Sequence, residues 1–510
     1  MFSGIFGKKS DHPMADIRSA QALLEELPKN DAHKLVMELT EWIESVAAQT
    51  DFKLDHQFAV LRMLDEAVQP YARRLAREYF TPQELGRFQE NRLWLALGNL
   101  HSHLASGYAV LFDRYCAGDK SAGVFKAHLP LIAGRMLHAM AASLKYVCAR
   151  YGPIDNSVWS NLARFYRHAE QEQYLDSGFL MYPGSSREVT LRSCAGHLLG
   201  WHGCGVGTLA PLNIHLVERI VSQHASLIRV DAAQSANSLF SFDLDRPAPP
   251  MRVKVDAKGQ ASMRFIDMSA ILPKLEELLA SLGRNVVPDE LNLGGTYDAD
   301  LVREAAQHLA DYLNAPPLRR SVRREIRVSM YVANGFAKVV EHADTEPGFS
   351  KELPSYWEVE DISATGFRTI LPEQGGFDIR IGSLLGVQPD GRAQWGVAVV
   401  RRLMRDDKNQ LHVGAEMLSN HVDSVVLGQG RGGADGAQSG VWLHAKEAAP
   451  SGEVRLLMKA GTFSAQRSLQ ASLNGKSYLL MPNGLQEKGT DYDLAGFRVI
   501  EQESGSDESY

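Results

Sequence analysis

The chain has 510 residues, of which 45% are hydrophobic and 23% are charged, and its formal net charge is −7. These values are ordinary for a globular protein of three or four domains, and the acidic balance argues against general nucleic-acid binding. Four cysteines are too few for a disulfide framework, and no apolar run approaches the roughly 18 residues of a membrane span. We therefore expect a cytoplasmic protein without a membrane span.

The first 235 residues are predicted to form a helical domain. Apolar residues recur at three- and four-residue spacing over residues 31–49 and 56–80, as one buried helix face requires. Thr81, Pro82 and Glu84 stand in the order of a capping box, which predicts a helix from this point to about Arg114. No motif in this region identifies its function.

A small α/β segment is predicted over residues 236–315. Strand-like alternation occurs in 238–245 and 251–268, and two helical patterns follow in 271–283 and 299–314. Pro316 and Pro317 then interrupt the pattern and predict a domain boundary.

The remainder of the chain is predicted to be mostly β. Closely spaced strand-like segments favour a small antiparallel barrel over residues 317–427: they are 324–344, 357–371, 383–390, 394–406 and 412–418. Residues 428–440 are predicted to be a linker, and residues 441–500 a C-terminal β-rich domain that is either a second barrel or an extension of the first. The polar tail, 501–510, is predicted to be disordered. The predicted fold class is therefore multidomain α+β.

An arginine cluster lies at the start of the predicted barrel. The guanidinium group is suited to bidentate contacts with phosphate or with a guanine edge, although such a charge run is also common on a solvated surface. The five residues of the cluster are Arg319, Arg320, Arg323, Arg324 and Arg327. Three pairs among them fit an Arg-x-x-x-Arg spacing.

A second motif, Asp361-x-Ser363-x-x-Gly366, follows about thirty residues later. It supplies a carboxylate, a hydroxyl group and a glycine that permits close approach to the backbone. Alone, the pattern is a weak signal, because many structural turns contain it. Together with the arginine cluster, it suggests a pocket for a phosphorylated guanine nucleotide.

In this order and within a predicted barrel, the two motifs resemble those of the PilZ family of cyclic di-GMP receptors. The family's second arginine usually precedes the first strand immediately, so Arg323 and Arg327 match best, because Val328 opens a strand-like run. The resemblance covers about residues 317–427 and implies that this barrel binds cyclic di-GMP. It implies that arginines contact phosphate or guanine, that Asp361 accepts from a guanine edge, that Ser363 bonds a phosphate or amino group, and that Gly366 makes room for the ligand.

The helical region contains a possible alternative site for a metal ion. Cys194, His197, His202 and Cys204 are all residue types that ligate zinc, but their spacing matches no standard zinc module. An enzyme that uses this array is the weakest hypothesis, and we predict no catalytic residues, no metal and no cofactor.

The favoured interpretation is a cyclic di-GMP receptor that relays ligand occupancy to an unknown protein partner through its helical domain. We hypothesise that the arginine segment folds over the ligand and so changes the angle or the exposure of the helical domain. The alternative is a scaffold or interaction protein whose PilZ-like barrel does not bind nucleotide.

Overall fold

The computed structural model describes residues 11–83, 85–119, 122–253, 260–315, 324–343, 354–363, 365–372, 379–428, 437–444, 452–473 and 475–502. The chain divides into two compact units, Met1–Pro317 and Leu318–Tyr510. The first is rich in helices and the second contains two closed barrels, which confirms the predicted multidomain α+β class.

The N-terminal unit is built from helices, with one small sheet. Its helices are α1 (Ile17–Glu26), α2 (Ala32–Ala47), α3 (Leu54–Tyr79), α4 (Arg87–Cys116), α5 (Ala122–Phe125), α6 (Leu129–Cys148), α7 (Ser157–Gln171), α8 (Leu191–Gly203), α9 (Pro211–Gln223), α10 (Leu272–Gly283) and α11 (Ala299–Asn314). The strands β1 (Arg229–Asp231), β2 (Ser238–Asp243), β3 (Met251–Arg252) and β4 (Met263–Asp267) form a sheet in the order β1-β4-β2-β3. None of the described helices combines the length and apolar composition that a membrane crossing requires.

The predicted helical domain and α/β segment share one hydrophobic core. Buried residues of this core extend from Met14 to Leu313 and include Phe240 of β2 and Leu275 of α10. The α2 helix shows the underlying pattern, because its buried positions recur every three or four residues and Asp31 caps its first turn by accepting from the Lys34 amide at 3.0 Å.

The predicted helix start at Thr81 is wrong. The α4 helix begins at Arg87, after Gly86. The Thr81 hydroxyl instead accepts from the Gln83 amide at 3.3 Å, a local bond that a threonine forms in a turn as readily as at a helix cap. The third residue of the predicted capping box, Glu84, lies outside the described residues.

The core of the N-terminal unit contains buried ionisable groups. Lys145 donates to Glu218 at 2.7 Å, and Arg135 donates to Asp65 at 3.2 Å. His215 is 5% exposed, donates from Nε2 to the Leu293 carbonyl at 2.9 Å, and stacks on a neighbouring phenylalanine ring. Burial lowers the pKa of His215 to about 3, so the folded protein holds this imidazole neutral.

We expect the N-terminal unit to lose stability in mild acid. Below pH ~6.5 the unfolded chain protonates a histidine that the folded chain keeps neutral until about pH 3. The unfolded state therefore binds more protons in this range, and the folded state loses stability as the pH decreases. The expected loss is about 1.4 kcal/mol per pH unit for each such histidine. Urea unfolding followed by helical circular dichroism between pH 7 and 5 measures this slope. His215→Phe should reduce this slope by about 1.4 kcal/mol per pH unit. An unchanged slope in this variant would contradict the assignment.

The first barrel contains the predicted nucleotide motifs. Its strands are β5 (Arg324–Asn334), β6 (Ser355–Ser363), β7 (Gly366–Leu371), β8 (Leu384–Pro389), β9 (Gly396–Arg405) and β10 (Leu411–Ser419). They close in the order β10-β7-β6-β5-β8-β9, with every described pairing antiparallel.

The predicted strand at 324–344 is wrong in its second half. Gly335 turns the chain at a φ of 97°, and α12 (Phe336–Ala343) follows, with the Phe336 amide donating to the Asp491 carboxylate at 2.6 Å.

The second barrel is a closed structure of its own rather than an extension of the first. Its strands are β11 (Val422–Gly428), β12 (Gln438–Leu443), β13 (Glu453–Lys459), β14 (Leu469–Leu473), β15 (Lys476–Lys488) and β16 (Tyr492–Gln502), closed in the order β11-β12-β13-β16-β15-β14. The predicted end of the first barrel at residue 427 therefore differs from the structure, because β11 pairs with β12 and β14. The predicted tail at 501–510 also starts too early, since β16 continues to Gln502.

The two barrels are joined by an apolar core and by an ion pair. Phe336 and Val339 of α12 pack with Val399 of β9 and with Leu457 and Tyr492 of the second barrel. Above this core, Arg401 forms a bidentate bond with Glu487, at 2.7 and 2.6 Å. The barrels thus share buried surface within the C-terminal unit.

Candidate functional site

The hairpin between β6 and β7 carries the second motif. Ser363 and Gly366 lie opposite each other in the antiparallel register. The Ser363 hydroxyl donates to the Gly366 carbonyl at 3.1 Å and accepts from the Thr365 amide at 3.4 Å. This serine therefore stabilises the turn, as serine hydroxyls commonly do.

Gly366 is required by strand packing. A Cβ atom at this position would collide with the carbonyl oxygen of Ala415 on β10. The close approach of β7 and β10 thus gives a structural reason for the glycine, independent of any ligand.

Asp361 is the charged residue of the motif, and only 6% of its surface is exposed. It accepts from Arg368 Nε at 2.6 Å, and the same guanidinium contacts Glu360 at 2.9 Å and His412 Nδ1 at 3.4 Å. The hydrogen bond to Asp361 raises the pKa of Arg368 above its usual value. Asp361 therefore orients an arginine that is about one-third exposed.

Two members of the arginine cluster can be placed beside this pair. Arg324 lies opposite Ile362, and Glu325 lies opposite Asp361. A bulge between Glu325 and Val328 then accommodates Arg327, and both arginines are exposed. The start of β5 and the end of β6 thus bring Arg324 and Arg327 to the same corner of the barrel as the second motif.

The other three arginines of the cluster, Arg319, Arg320 and Arg323, lie outside the described residues. The structure changes the premise used to choose among the pairs, because β5 begins at Arg324 rather than at Val328.

The sequence analysis missed further basic residues on the outer face of the barrel. Cross-strand register places Asp361 opposite Arg368, Arg368 opposite Gly414, and Gly414 opposite Arg402. Directly opposite residues in antiparallel strands share a face, so Arg368 and Arg402 flank the position where Gly414 has no side chain. Arg402 is exposed, and it has no hydrogen-bond or ion-pair partner among the residues that the structure describes. We call Arg324, Arg327, Asp361, Arg368 and Arg402 the barrel-corner cluster.

The sequence gives only a weak indication that Arg368 and Arg402 belong to the site. Alternation in β7 and β9 is enough to put Arg368 and Arg402 on the outer faces of their own strands. Only the strand order, in which β10 separates β7 from β9, brings them to either side of Gly414.

The alternative zinc array on α8 is not gathered around one point. His202 contacts the rings of Trp159 and Trp201, whereas His197 lies 3.0 Å from the Glu218 carboxylate. Burial raises the pKa of both Cys194 and Cys204 to about 12, which disfavours the thiolate that a metal needs. No metal-binding group that includes these residues was found among the described side chains.

Comparison with known families gives an independent result for the N-terminal unit. Residues 18–234 match the family model described as "Cyclic-di-GMP receptor FimW, N-terminal domain". Searches of curated proteins and of solved structures found no match to this chain.

The matched family is described as a cyclic di-GMP receptor, so the resemblance of the sequence to receptors of this nucleotide is confirmed by a second part of the chain. The match indicates a cyclic di-GMP receptor. It covers the helical region, in which the sequence analysis found no functional motif, and does not extend to the barrel that carries the two motifs.

We expect Gly366→Ala to destabilise the first barrel by about 1–3 kcal/mol, because the added methyl group must displace the backbone of β10. Urea unfolding of the full chain measures the change. Gly428→Ala is the matched control, since a Cβ there meets no atom within 4 Å. Equal stability of the two variants would contradict the packing argument.

Proposed function

We propose that this protein is a non-catalytic cyclic di-GMP receptor whose first barrel binds the nucleotide at the barrel-corner cluster. The observation that carries the proposal is the register of β5, β6 and β7, which brings exposed Arg324 and Arg327 to the same end of the barrel as the Asp361–Arg368 pair. The match of a separate part of the chain to a receptor family supports the same ligand.

The chemistry of the cluster suits this ligand. Cyclic di-GMP carries two phosphates and two guanines. Exposed guanidinium groups can bond a phosphate with two parallel N–H donors, or guanine O6 and N7 with the same geometry. Since Asp361 is nearly enclosed, we propose that it acts chiefly by holding Arg368 towards the ligand.

We further propose that occupancy of the barrel is relayed to a protein partner through the helical region. The support is the family match, which places the receptor-like sequence in residues 18–234 rather than in the barrel. A ligand shifts a conformational equilibrium only by as much as it favours one state, so the relay requires a helical region that responds to binding.

A second candidate function is a scaffold whose barrel binds no nucleotide. Ser363 bonds within its hairpin, Gly366 is required by strand packing, and Asp361 pairs with Arg368. Each residue of the second motif therefore has a structural role that does not need a ligand.

Calorimetric titration of the full chain with cyclic di-GMP separates the two functions. We expect saturable binding that weakens at least tenfold in Arg327→Ala and Asp361→Asn, because a hydrogen bond to a charged group contributes about 1.5–3 kcal/mol. Affinity should also fall with added salt, since the arginines are exposed. Arg392→Ala, which changes an exposed arginine in the β8–β9 turn, is the matched control and should bind normally. GMP serves as the ligand control, and an absence of binding by the unaltered chain would favour the scaffold.

Hydrogen exchange tests the relay separately. We expect saturating cyclic di-GMP to change amide exchange within residues 18–234 as well as in the first barrel, and Asp361→Asn to abolish both changes at the same nucleotide concentration. Protection confined to the barrel would exclude the relay while leaving the receptor function intact.

A further inference from the structure

Three potential metal ligands converge at the start of the second barrel. His421 precedes β11, Asp423 lies within it, and His444 follows β12. The pairing of Val422 with Leu443, and the bond from the His444 amide to the His421 carbonyl, place the two histidines opposite each other. Asp423 is two residues beyond His421 and therefore shares its face of the strand.

The ligand atoms of this group face one another. One oxygen of Asp423 lies 2.7 Å from His444 Nε2, and the other lies 3.7 Å from His421 Nε2. The two imidazole rings are stacked, with centroids 4.2 Å apart and an angle of 12° between their planes. One ligand atom from each residue can be chosen so that all three lie within 4.8 Å of one another.

These distances are close to those that one metal ion needs. Zinc–nitrogen and zinc–oxygen bonds of about 2.0–2.1 Å in a tetrahedral site put neighbouring ligand atoms roughly 3.3 Å apart. The separations of 2.7 and 3.7 Å lie on either side of that value, and they involve the two different oxygens of Asp423. Because the imidazole rings are stacked, at least one ring must turn out of the parallel arrangement for both nitrogens to point at one ion. A set of two imidazoles and one carboxylate is suited to zinc and to related divalent transition metals.

The backbone that carries the ligands is held by a buried serine. Ser419 is 1% exposed, and its hydroxyl oxygen lies 2.7 Å from each of the carbonyl oxygens of His421 and His444. The His421 amide also donates to this hydroxyl group at 3.2 Å. The spacing of the two histidines is therefore set by the fold before any ion binds.

Solvent can reach the group. The side chains of His421 and His444 are 40% and 35% exposed. His444 also borders a cavity of about 480 Å³ whose lining includes Glu453, Arg455 and Asn483. Three protein ligands leave at least one coordination position for water or a small ligand.

We propose that His421, Asp423 and His444 bind one divalent transition-metal ion, with zinc as the favoured ion. This site lies in the second barrel and is independent of the proposed nucleotide site. It would restrain the junction between β11 and β12, because both strands supply ligands.

Zinc titration of the full, tag-free chain after treatment with a chelator tests the proposal. We expect one high-affinity equivalent by calorimetry, retention of that equivalent after desalting by elemental analysis, and at least tenfold weaker binding in His421→Ala and His444→Ala. Zinc should also raise the unfolding temperature of the unaltered chain but not of these variants. Cobalt(II) should give a visible absorption spectrum that both variants lose.

His412→Ala is the matched control, because His412 also bonds a carboxylate, that of Asp406 at 3.0 Å, but belongs to no three-residue group found among the described side chains. It should retain the zinc equivalent. Asp423→Asn preserves side-chain size and provides the test if a histidine variant does not fold by circular dichroism. Failure of the unaltered chain to bind zinc, or equal zinc binding by all folded variants, would overturn the proposal. Normal cyclic di-GMP binding by His421→Ala would show that the metal site and the nucleotide site are separate.

Discussion

The proposed nucleotide site depends on the ion pair between Asp361 and Arg368. A carboxylate that is 6% exposed is costly to bury without a hydrogen-bond partner, and Arg368 supplies one at 2.6 Å. In return, the carboxylate restricts the long side chain of Arg368 before a ligand binds. Ligand binding then avoids much of the entropy cost of ordering that side chain, which can reach about 2 kcal/mol. The pair is therefore both a structural element of the first barrel and a means of presenting a guanidinium group at its surface.

The β10 strand connects the two proposed sites within the C-terminal unit. Gly414, in its middle, separates Arg368 from Arg402, and Ser419, at its end, positions His421 and His444. The α12 helix and the Arg401–Glu487 pair join the two barrels.

Sequence patterns were informative where the structure depends on neighbours along the chain. The helical region, the first barrel and the Asp-x-Ser-x-x-Gly hairpin were predicted because apolar spacing and turn residues are local signals. The α12 helix was missed because its eight residues follow directly on a strand, after a single glycine. The predicted boundary of the first barrel at residue 427 was wrong because local sequence patterns do not show in which barrel a strand such as β11 pairs. The barrel-corner arginines Arg368 and Arg402, and the group of His421 with His444, depend on cross-strand register, which no local pattern encodes.

The helical region presents the complementary case, in which family similarity identifies a receptor although no short motif does. Its core retains charged pairs, such as Lys145 with Glu218 and Arg135 with Asp65, where apolar residues would pack at lower cost. Such pairs tolerate few alternative packings, because any rearrangement that separates them leaves a charge buried alone. A helical region built in this way favours discrete arrangements over continuous deformation, and discrete arrangements are what a ligand-controlled relay requires. The polar core therefore supports the proposed relay, which requires the helical region to have a small number of packed states.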